Sequence, residues 1–544
     1  MNFIKKNYLL IIILILAFAV RLYGIYFDFP ATRYIYDETY EISYIVKALA
    51  QGTIYPDVTL QYSFFLAILY LPFVVLKLLF IMLREGIYNL PELKEYMILY
   101  GMGELMIITR WFSVLFGTAS VYLSYLLGKL IWNKKSALLI ALGFAFSFVS
   151  VFLSHWGRRH IIMAFFILLT LYFVLRFQKN KNKKWFYYSN LSASLAIASH
   201  YLGINALIFP LAGYLMNRKE VKLKDLMNNI FIYIISFVLF YVANWNGFVW
   251  MIKANLGGHY AEGSLASLSS IGTFERFYFL FRDLFFISPL IVILGALALF
   301  SVKKIWQNKL SRYIIFAFLF NYLIMIFLVA SPHNTRWLIV FSVYLTILAF
   351  GCFGDYIFRR IKSLILVYIL VAIILLPGVF ISLKYGYLLN QNTRVEAQAW
   401  IQNNIKRENK IYSFDYIVDL PLSVAAAKWQ TEENKVNSTK NKYILDNQDK
   451  LDSHGYNLFY DFGKKRYETL GGEDTAYVLL SYNNANNKKN IIDGLNKYYQ
   501  LEPVKTFFPG SDIDTGDSVN NPNNIFKLFK LNKSGPYIEI YKIK

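Results

Sequence analysis

Two adjacent carboxylates, Asp37 and Glu38, follow the first apolar segment of the chain, within the stretch RYIYDETYEISYIVKALAQGTIYP (Arg33 to Pro56). A carboxylate at the boundary between water and lipid can accept a proton from a hydroxyl nucleophile, or hold a divalent cation against a phosphate. The same pair can instead cap the start of an amphipathic interfacial helix, where negative charge is favourable. The local sequence leaves both interpretations open, because each needs an exposed helix start.

Arginine and histidine side chains occur in two other short segments between apolar runs. Guanidinium groups can bind phosphate oxygens through paired hydrogen bonds, which makes an anion-binding role the functional interpretation. Pairing with acidic residues or contact with lipid headgroups is the alternative. The residues are His155, Arg158, Arg159 and His160 in SHWGRRH, and His333 and Arg336 in SPHNTR.

Several further polar residues are candidates for substrate binding, although a single polar residue at a membrane boundary often only anchors a span. Tyr40 lies on the same predicted helix as the two carboxylates. His259, Tyr260 and Glu262 occupy the glycine-flanked segment GGHYAEG, and His200 separates two apolar runs. A structural role is favoured for His200, for the GGHYAEG residues, and for His333 and Arg336 of SPHNTR.

The composition indicates a polytopic membrane protein. Of 544 residues, 57% are hydrophobic and only 17% are charged, and many runs approach the length that spans a bilayer. The net charge of +22 comes largely from lysines and arginines in short loops, so we expect no nucleic-acid binding. Cys352 is the single cysteine, which excludes an intramolecular disulfide and a cysteine metal cluster.

Eleven apolar runs predict membrane helices. The first is favoured as an uncleaved span over a signal peptide, because its apolar run continues past Ala19. With a cytoplasmic N-terminus, the connections KLIWNKK, RFQKNKNKK, NRKEVKLK, KKIWQNK and RRIK all face the cytoplasm, as the positive-inside rule requires. The runs are 8–27, 109–131, 136–153, 160–177, 185–200, 202–216, 228–250, 284–302, 312–330, 337–354 and 363–383.

The segment 61–83 is also long enough to span, yet one extra crossing would place all five basic loops outside. It therefore either lies in or re-enters the outer leaflet, or pairs with a second crossing around 96–108. Both solutions assign a large first extracytoplasmic loop to about 28–108. Asp37 and Glu38 are thus predicted to be extracytoplasmic.

The last part of the chain is rich in asparagine, lysine and tyrosine and contains no run long enough to cross a bilayer. RVEAQAWIQNNIKREN has helical periodicity, whereas AYVLLSY and YIEIYKI are typical of strands. We therefore predict a transmembrane domain over 1–383 with about 11 to 13 helices, followed by a small extracytoplasmic α/β domain over 384–544.

Three features together resemble a known family: the acidic pair in YDETYEISYIVKALAQGTIYP, the helix start TRWFS at Arg110, and the LGKL turn. With LQYSFFLAILY and the segment through SHWGRRH, they are similar to the core of the protein O-mannosyltransferase and aminoarabinose-transferase group, the GT-C membrane glycosyltransferases. The resemblance covers roughly 8–220 and extends more loosely to the end, where TRVEAQAWIQNNI and GPYIEIYKI resemble the tail domain of bacterial and archaeal members.

The resemblance implies an inverting glycosyltransferase that takes a sugar from a polyprenyl phosphate at the outer face and passes it to a hydroxyl. It implies that Asp37 is the general base and that Glu38 supports it or binds the acceptor. Arg158 or Arg159, with Arg336, is then expected to stabilise the departing phosphate. Fixed cations of this kind stabilise negative charge that grows on a leaving group.

Many relatives have an aspartate where this chain has His160, so we expect no obligatory metal, although a divalent cation remains possible. The acceptor can be a protein, a lipid or a glycan. Two other functions stay open: a polymerase or ligase that uses lipid-diphosphate glycans, and a non-enzymatic lipid-glycan transporter. Few charges inside the predicted spans favour a one-sided enzyme over a transport path.

Overall fold

The computed structural model describes most of the chain, and every structural statement below refers to the residues it describes. The helices before the C-terminal domain follow the apolar pattern of the sequence. The described residues are 2–29, 36–53, 63–242, 245–246, 249, 273–298, 306–328, 335–415, 417–433, 438–451, 455–460, 476–482, 485–510, 519, 522 and 524–544. The helices are α1 (Asn2–Leu22), α2 (Tyr36–Gln51), α3 (Phe65–Glu85), α4 (Leu90–Tyr96), α5 (Met102–Ile131), α6 (Lys134–Ala145), α7 (Phe148–His155), α8 (Arg159–Asn180), α9 (Lys183–Ser199), α10 (Ile208–Leu215), α11 (Leu223–Phe240), α12 (Thr273–Ile287), α13 (Pro289–Ala298), α14 (Lys309–Leu328), α15 (Ile339–Arg360) and α16 (Leu364–Asn390).

The predicted fold class, a polytopic helical membrane protein, is confirmed. By length and composition, six described helices can cross a membrane, or eight segments if each of two bent pairs is one span. Three shorter apolar helices accompany them. The long helices are fewer than the 11 to 13 predicted spans because some apolar runs are short or broken. The run 136–153 is divided into α6 and α7 with a bend of 51°, and α12 and α13 meet at 113°.

The lysine-rich connections lie together at one end of the helix bundle. Lys183 follows α8 and pairs with Asp225 at the start of α11, with 2.5 Å between Nζ and Oδ2. The ammonium of Lys135, after α5, lies 5.7 Å from the centre of the Phe358 ring near the end of α15. Asparagine side chains start several helices here; Asn133, for example, accepts a hydrogen bond from the backbone N–H of Ser136.

Helix α3 begins on the opposite side of the bundle from these lysines. The residue before it, Phe64, donates its backbone N–H to the carbonyl of Phe240 at the end of α11, at 2.9 Å. Gly86 ends α3 in the left-handed conformation, with φ of +66°. After α4, a π-helical turn (Met97–Gly101) places Leu99 against the core of the C-terminal domain. The segment 63–101 therefore runs from the end of α11 to the C-terminal domain, and the parity argument from the basic loops stays a prediction.

The C-terminal domain is built on a five-stranded mixed sheet with strand order β2-β1-β3-β5-β4. Strand β1 pairs in parallel with β2 and β3, whereas β5 is antiparallel to β3 and β4. Ile411, Val478 and Ile540 are buried in its core with Ile401 of the first helix. The elements are α17 (Thr393–Asn404), β1 (Lys410–Ser413), α18 (Val424–Glu432), α19 (Thr439–Asp446), α20 (Gln448–Leu451), β2 (Asn457–Tyr460), β3 (Tyr477–Tyr482), α21 (Ala485–Leu495), β4 (Leu501–Phe507), α22 (Ile525–Leu528) and β5 (Tyr537–Ile543).

Two polar contacts tie this domain to the first part of the chain. Asn392, which caps α17, hydrogen-bonds to the carboxylate of Asp28 just after α1. Glu95 of α4 accepts a hydrogen bond from Tyr443 of α19, and burial, aided by this bond, raises the pKa of the Tyr443 hydroxyl. The domain therefore covers the end of the bundle where α2 and the segment SHWGRRH lie.

Candidate active site

The segment SHWGRRH lies where the chain leaves α7 and enters α8, and a buried arginine positions the helix that leads to it. Arg21 of α1 donates to the carbonyl oxygens of Phe144 (3.3 Å) and Ala145 (3.0 Å), which lie at the break between α6 and α7. It also donates to the hydroxyls of Ser150 and Ser154 on α7. Arg21 thereby provides hydrogen-bond donors to backbone carbonyl oxygens at the helix break, inside the bundle where water is absent.

Trp156 anchors the segment after α7. Its indole N–H donates to the hydroxyl of Tyr385 on α16 at 2.8 Å, and the Phe27 ring lies against it with 5.2 Å between ring centres. The guanidinium carbon of Arg158 lies 4.5 Å from the centre of the Trp156 ring, a cation–π distance. Tryptophan therefore orients one of the two arginines predicted to bind phosphate.

Gly157 allows this segment to approach α5 closely. A Cβ atom at this position would lie 1.9 Å from the hydroxyl of Thr109 and 3.3 Å from the backbone nitrogen of Arg110. Any other residue would push the segment away from α5. The glycine in SHWGRRH is therefore a packing requirement of the site.

Glu38 and Arg110 form a fully buried ion pair at the centre of the candidate site. Oε2 of Glu38 accepts from Nη2 (3.0 Å) and Nε (3.1 Å) of Arg110, and Oε1 accepts from the backbone N–H of Gly157. Arg110 also donates to the carbonyl oxygens of Ile25 and Phe27. One carboxylate thus connects α2, α5, the end of α1 and the segment before α8.

Glu41 and Arg159 form a second buried ion pair, one turn further along α2. Sequence analysis did not select Glu41. The available signal was its spacing, since Glu41 lies three residues after Glu38 and four after Asp37, which places all three near one face of a helix. Arg159, predicted to bind phosphate, therefore lies beside α2 and already has a carboxylate partner.

Positive charge converges on His160, the second residue of α8. Arg158, Arg159 and Arg336 all lie close enough to interact with it electrostatically. Its ring lies 4.6 Å from the ring of His200, measured between centres. Arg336 belongs to a 3-10 helix (Thr335–Leu338) before α15, so two segments far apart in sequence place their predicted cations near His160.

The other predicted site residues have varied positions. His155 is fully buried, with Nδ1 2.8 Å from the carbonyl of Val151 and Nε2 2.9 Å from that of Tyr23, which favours a structural role. His200 is buried, and its Nδ1 accepts from the backbone N–H of Leu202. Tyr40 is half-buried on α2. The predictions for His259, Tyr260, Glu262 and His333 lie outside the described residues.

Asp37 occupies the first turn of α2, directly before Glu38. Its side chain is outside the described part of the structure. Asp37 lies four residues before Glu41, which places the two positions near one face of α2. In the described ranges, no three histidine, cysteine, aspartate or glutamate side chains are grouped as metal ligands. The expectation of no obligatory metal remains a prediction.

The central part of this site matches a known family. Residues 97–245, which include Arg110, Gly157 and both arginines of SHWGRRH, match the family model of the dolichyl-phosphate-mannose-protein mannosyltransferases. The family resemblance predicted from the sequence is confirmed. The matched region contains Arg110, Arg158 and Arg159, whereas α2 with its carboxylates precedes it. No curated protein is significantly similar to the whole chain.

Solved structures with related architecture span nearly the whole chain. ArnT from Cupriavidus metallidurans, in a crystal structure with undecaprenyl phosphate, aligns with 12% identity and a TM-score of 0.47, covering 92% of this chain and 96% of that one. An oligosaccharyltransferase from Archaeoglobus fulgidus, in complex with zinc and sulfate, aligns with 13% identity and a TM-score of 0.41, covering 92% and 72%. AglB from the same organism, with an inhibitory peptide and a dolichol-phosphate, aligns with 11% identity and a TM-score of 0.43, covering 93% and 74%.

Proposed function

We propose that this protein is an inverting glycosyltransferase that moves a sugar from a polyprenyl-phosphate donor to an acceptor hydroxyl at the membrane–water interface. The observation that carries the proposal is the convergence of Arg158, Arg159 and Arg336 around His160, next to the helix that presents Asp37. The family match over 97–245 supports the general activity. Cations grouped beside a carboxylate are the elements that such a transfer needs.

The proposed roles follow from the charge that develops during the reaction. The acceptor oxygen forms a bond to the anomeric carbon while Asp37 takes the hydroxyl proton. The bond between that carbon and the phosphate oxygen breaks, and the electron pair leaves with the lipid phosphate. Arg158, Arg159 and Arg336 stabilise the negative charge that grows there. Attack from the side opposite the phosphate inverts the configuration of the sugar.

Glu38 is assigned a positioning role in this scheme. Its two carboxylate oxygens already accept hydrogen bonds from Arg110 and from the backbone N–H of Gly157, so it is poorly placed to remove a further proton. By fixing the start of α2, it holds the neighbouring Asp37 at the edge of the cation cluster.

The distribution of basic residues supports a site on the extracytoplasmic side. The lysine-rich connections lie at the opposite end of the bundle from SHWGRRH, and the positive-inside rule assigns such connections to the cytoplasm. The N-terminus is then cytoplasmic, and the C-terminal domain covers the site from outside. A donor lipid in the outer leaflet can reach this end of the bundle with its phosphate at the interface.

We also propose that transfer needs no obligatory metal. Guanidinium groups can neutralise a phosphate without a bound cation, and three of them lie close enough to His160 to act on it electrostatically. A transfer rate that is unchanged in EDTA supports this part of the proposal. A rate that is lost in EDTA and restored by Mg²⁺ or Mn²⁺ contradicts it.

The proposal is tested by sugar transfer in membranes that contain the protein. A panel of radiolabelled polyprenyl-phosphate monosaccharides is incubated with protein, lipid and cell-wall acceptor fractions, and membranes without the protein serve as the control. Transfer of one sugar supports the proposal and identifies the donor. Transfer only from lipid-diphosphate glycans would indicate a polymerase or ligase, and movement of a fluorescent lipid-linked glycan across the bilayer without transfer would indicate a transporter.

A further inference from the structure

Tyr70 on α3 has a buried hydroxyl that sequence analysis did not select. Its side chain is 1% exposed, and the phenolic oxygen has no hydrogen-bond partner among the described residues. Buried tyrosine hydroxyls usually have a partner, because an unsatisfied polar group in a protein interior is unfavourable. A buried hydroxyl without a protein partner indicates that a ligand or water atom belongs beside it.

The surroundings of this hydroxyl are those of the candidate active site. Glu41, Arg159 and Glu38 all lie close enough to interact with the phenol electrostatically. The Tyr70 ring packs edge-on against Phe112 of α5, with 5.0 Å between ring centres, which fixes its direction. Helix α3 therefore contributes a polar atom to the side of the site where Glu41 holds Arg159.

A second buried polar atom occurs around the same arginine. Nδ1 of His160 has no hydrogen-bond partner among the described residues, and Arg159 acts on that imidazole as well. Two polar atoms from different helices, α3 and α8, thus accompany one guanidinium. Hydrophobic packing alone does not explain their positions, since a phenylalanine and a leucine could fill the same space without unsatisfied atoms.

We propose that the Tyr70 hydroxyl donates a hydrogen bond to the phosphate of the polyprenyl donor, on the Arg159 side of the site. This inference rests on the proposed function and adds a phosphate-binding residue to it. A phenol beside a guanidinium is suited to an anion, because an O–H bond to a charged oxygen is stronger than a bond to a neutral sugar hydroxyl. The phenol donates to neither Glu41 nor Glu38 among the described residues, so its O–H is available as a donor toward the ligand.

The test compares Tyr70→Phe with wild type in detergent, with polyprenyl phosphate and a polyprenyl-phosphate sugar as separate probes. The variant keeps the ring that packs on Phe112 and removes only the hydroxyl. We expect affinity for both probes to fall about tenfold, the loss typical of a hydrogen bond to a charged group. The thermal unfolding temperature of the ligand-free protein should stay the same or rise, because no internal hydrogen bond is lost. Tyr344→Phe is the matched control, since this tyrosine of α15 is fully buried and no charged group acts on it.

Three results would overturn the inference. Unchanged affinity for both probes would show that the hydroxyl does not contact the ligand. Weaker binding of the sugar donor alone would assign Tyr70 to the sugar instead of the phosphate. A lower unfolding temperature without ligand would assign it to the protein's own structure. If wild-type protein bound neither probe, the proposed function itself would fail, and this inference with it.

Discussion

Oε2 of Glu38 and Nη2 of Arg110 lie 3.0 Å apart in a pair whose side chains are 0% and 2% exposed. The two residues are 72 positions apart in the chain. Glu38 stands on the helix that presents Asp37, and Arg110 stands in the third turn of α5 with its guanidinium 3.8 Å from the centre of the Phe27 ring. The pair therefore fixes the position of the proposed base relative to the rest of the bundle.

Removing either member of this pair should destabilise the protein strongly. Glu38→Ala and Arg110→Ala each leave an uncompensated buried charge, which costs about 3–5 kcal/mol. Glu38→Gln should cost less, since its amide oxygen still accepts a hydrogen bond. Thermal unfolding in detergent measures the effect. Wild-type stability in Glu38→Ala would show that the pair does not hold α2 in place.

Substitutions of Glu41 and Arg159 should have non-additive effects on the stability of the protein, whereas loss of Glu41 should not restore the transfer activity that is lost with Arg159. Glu41→Ala and Arg159→Ala each leave one buried charge unpaired, whereas the double variant removes both. We expect the double variant to be more stable than Arg159→Ala alone. Transfer should not recover, because the guanidinium proposed to bind the phosphate is still missing. A double-mutant cycle on unfolding temperatures and on transfer rates checks both parts; additive stability losses would contradict the coupling.

Gly157→Ala should disrupt the site by displacing SHWGRRH from α5. The new methyl group would overlap the hydroxyl of Thr109, so the backbone must shift at a cost of about 3 kcal/mol or more. Gly213→Ala on α10 is the control, since its Cβ would meet Val174 at an ordinary 3.5 Å. Unfolding temperature and transfer rate are measured for both. Equal behaviour of the two variants would contradict a tight contact at Gly157.

Hydropathy was sufficient to predict a polytopic helical membrane protein, and residue patterns near the end of the chain were sufficient to predict a small α/β domain, although not its strand order. A helix or strand can be predicted from its own residues, because burial determines which residue types occur along it. Apolar runs near bilayer length predict membrane helices, and alternating patterns such as YIEIYKI predict strands. The cations of SHWGRRH were also visible, since outward arginines are unusual in short loops. Their convergence with Arg336 is a tertiary property that the sequence did not reveal.

The contacts that hold the site together were not predictable, because they join residues far apart in sequence. In the sequence, Arg21 is a basic residue at the end of a span. In the structure, it donates hydrogen bonds to carbonyl oxygens at the break between α6 and α7. Tyr70 reads as one of many aromatics in an apolar run. Of these residues, only Glu41 had a local signal in the sequence, its helical spacing from Asp37. The spacing indicates a functional site only together with the ion pair between Glu41 and Arg159, which the structure shows.

The central claim is that Asp37 removes the acceptor proton, and the most direct measurement is the transfer rate of Asp37→Asn at matched protein level. Asparagine keeps the size of the side chain and cannot act as a base at neutral pH. The exposed Asp493→Asn in the C-terminal domain provides a control for the same chemical change. We expect Asp37→Asn to lose transfer by about 100-fold or more while its unfolding temperature stays near wild type and Asp493→Asn remains fully active. Transfer at the wild-type rate in Asp37→Asn would contradict the account.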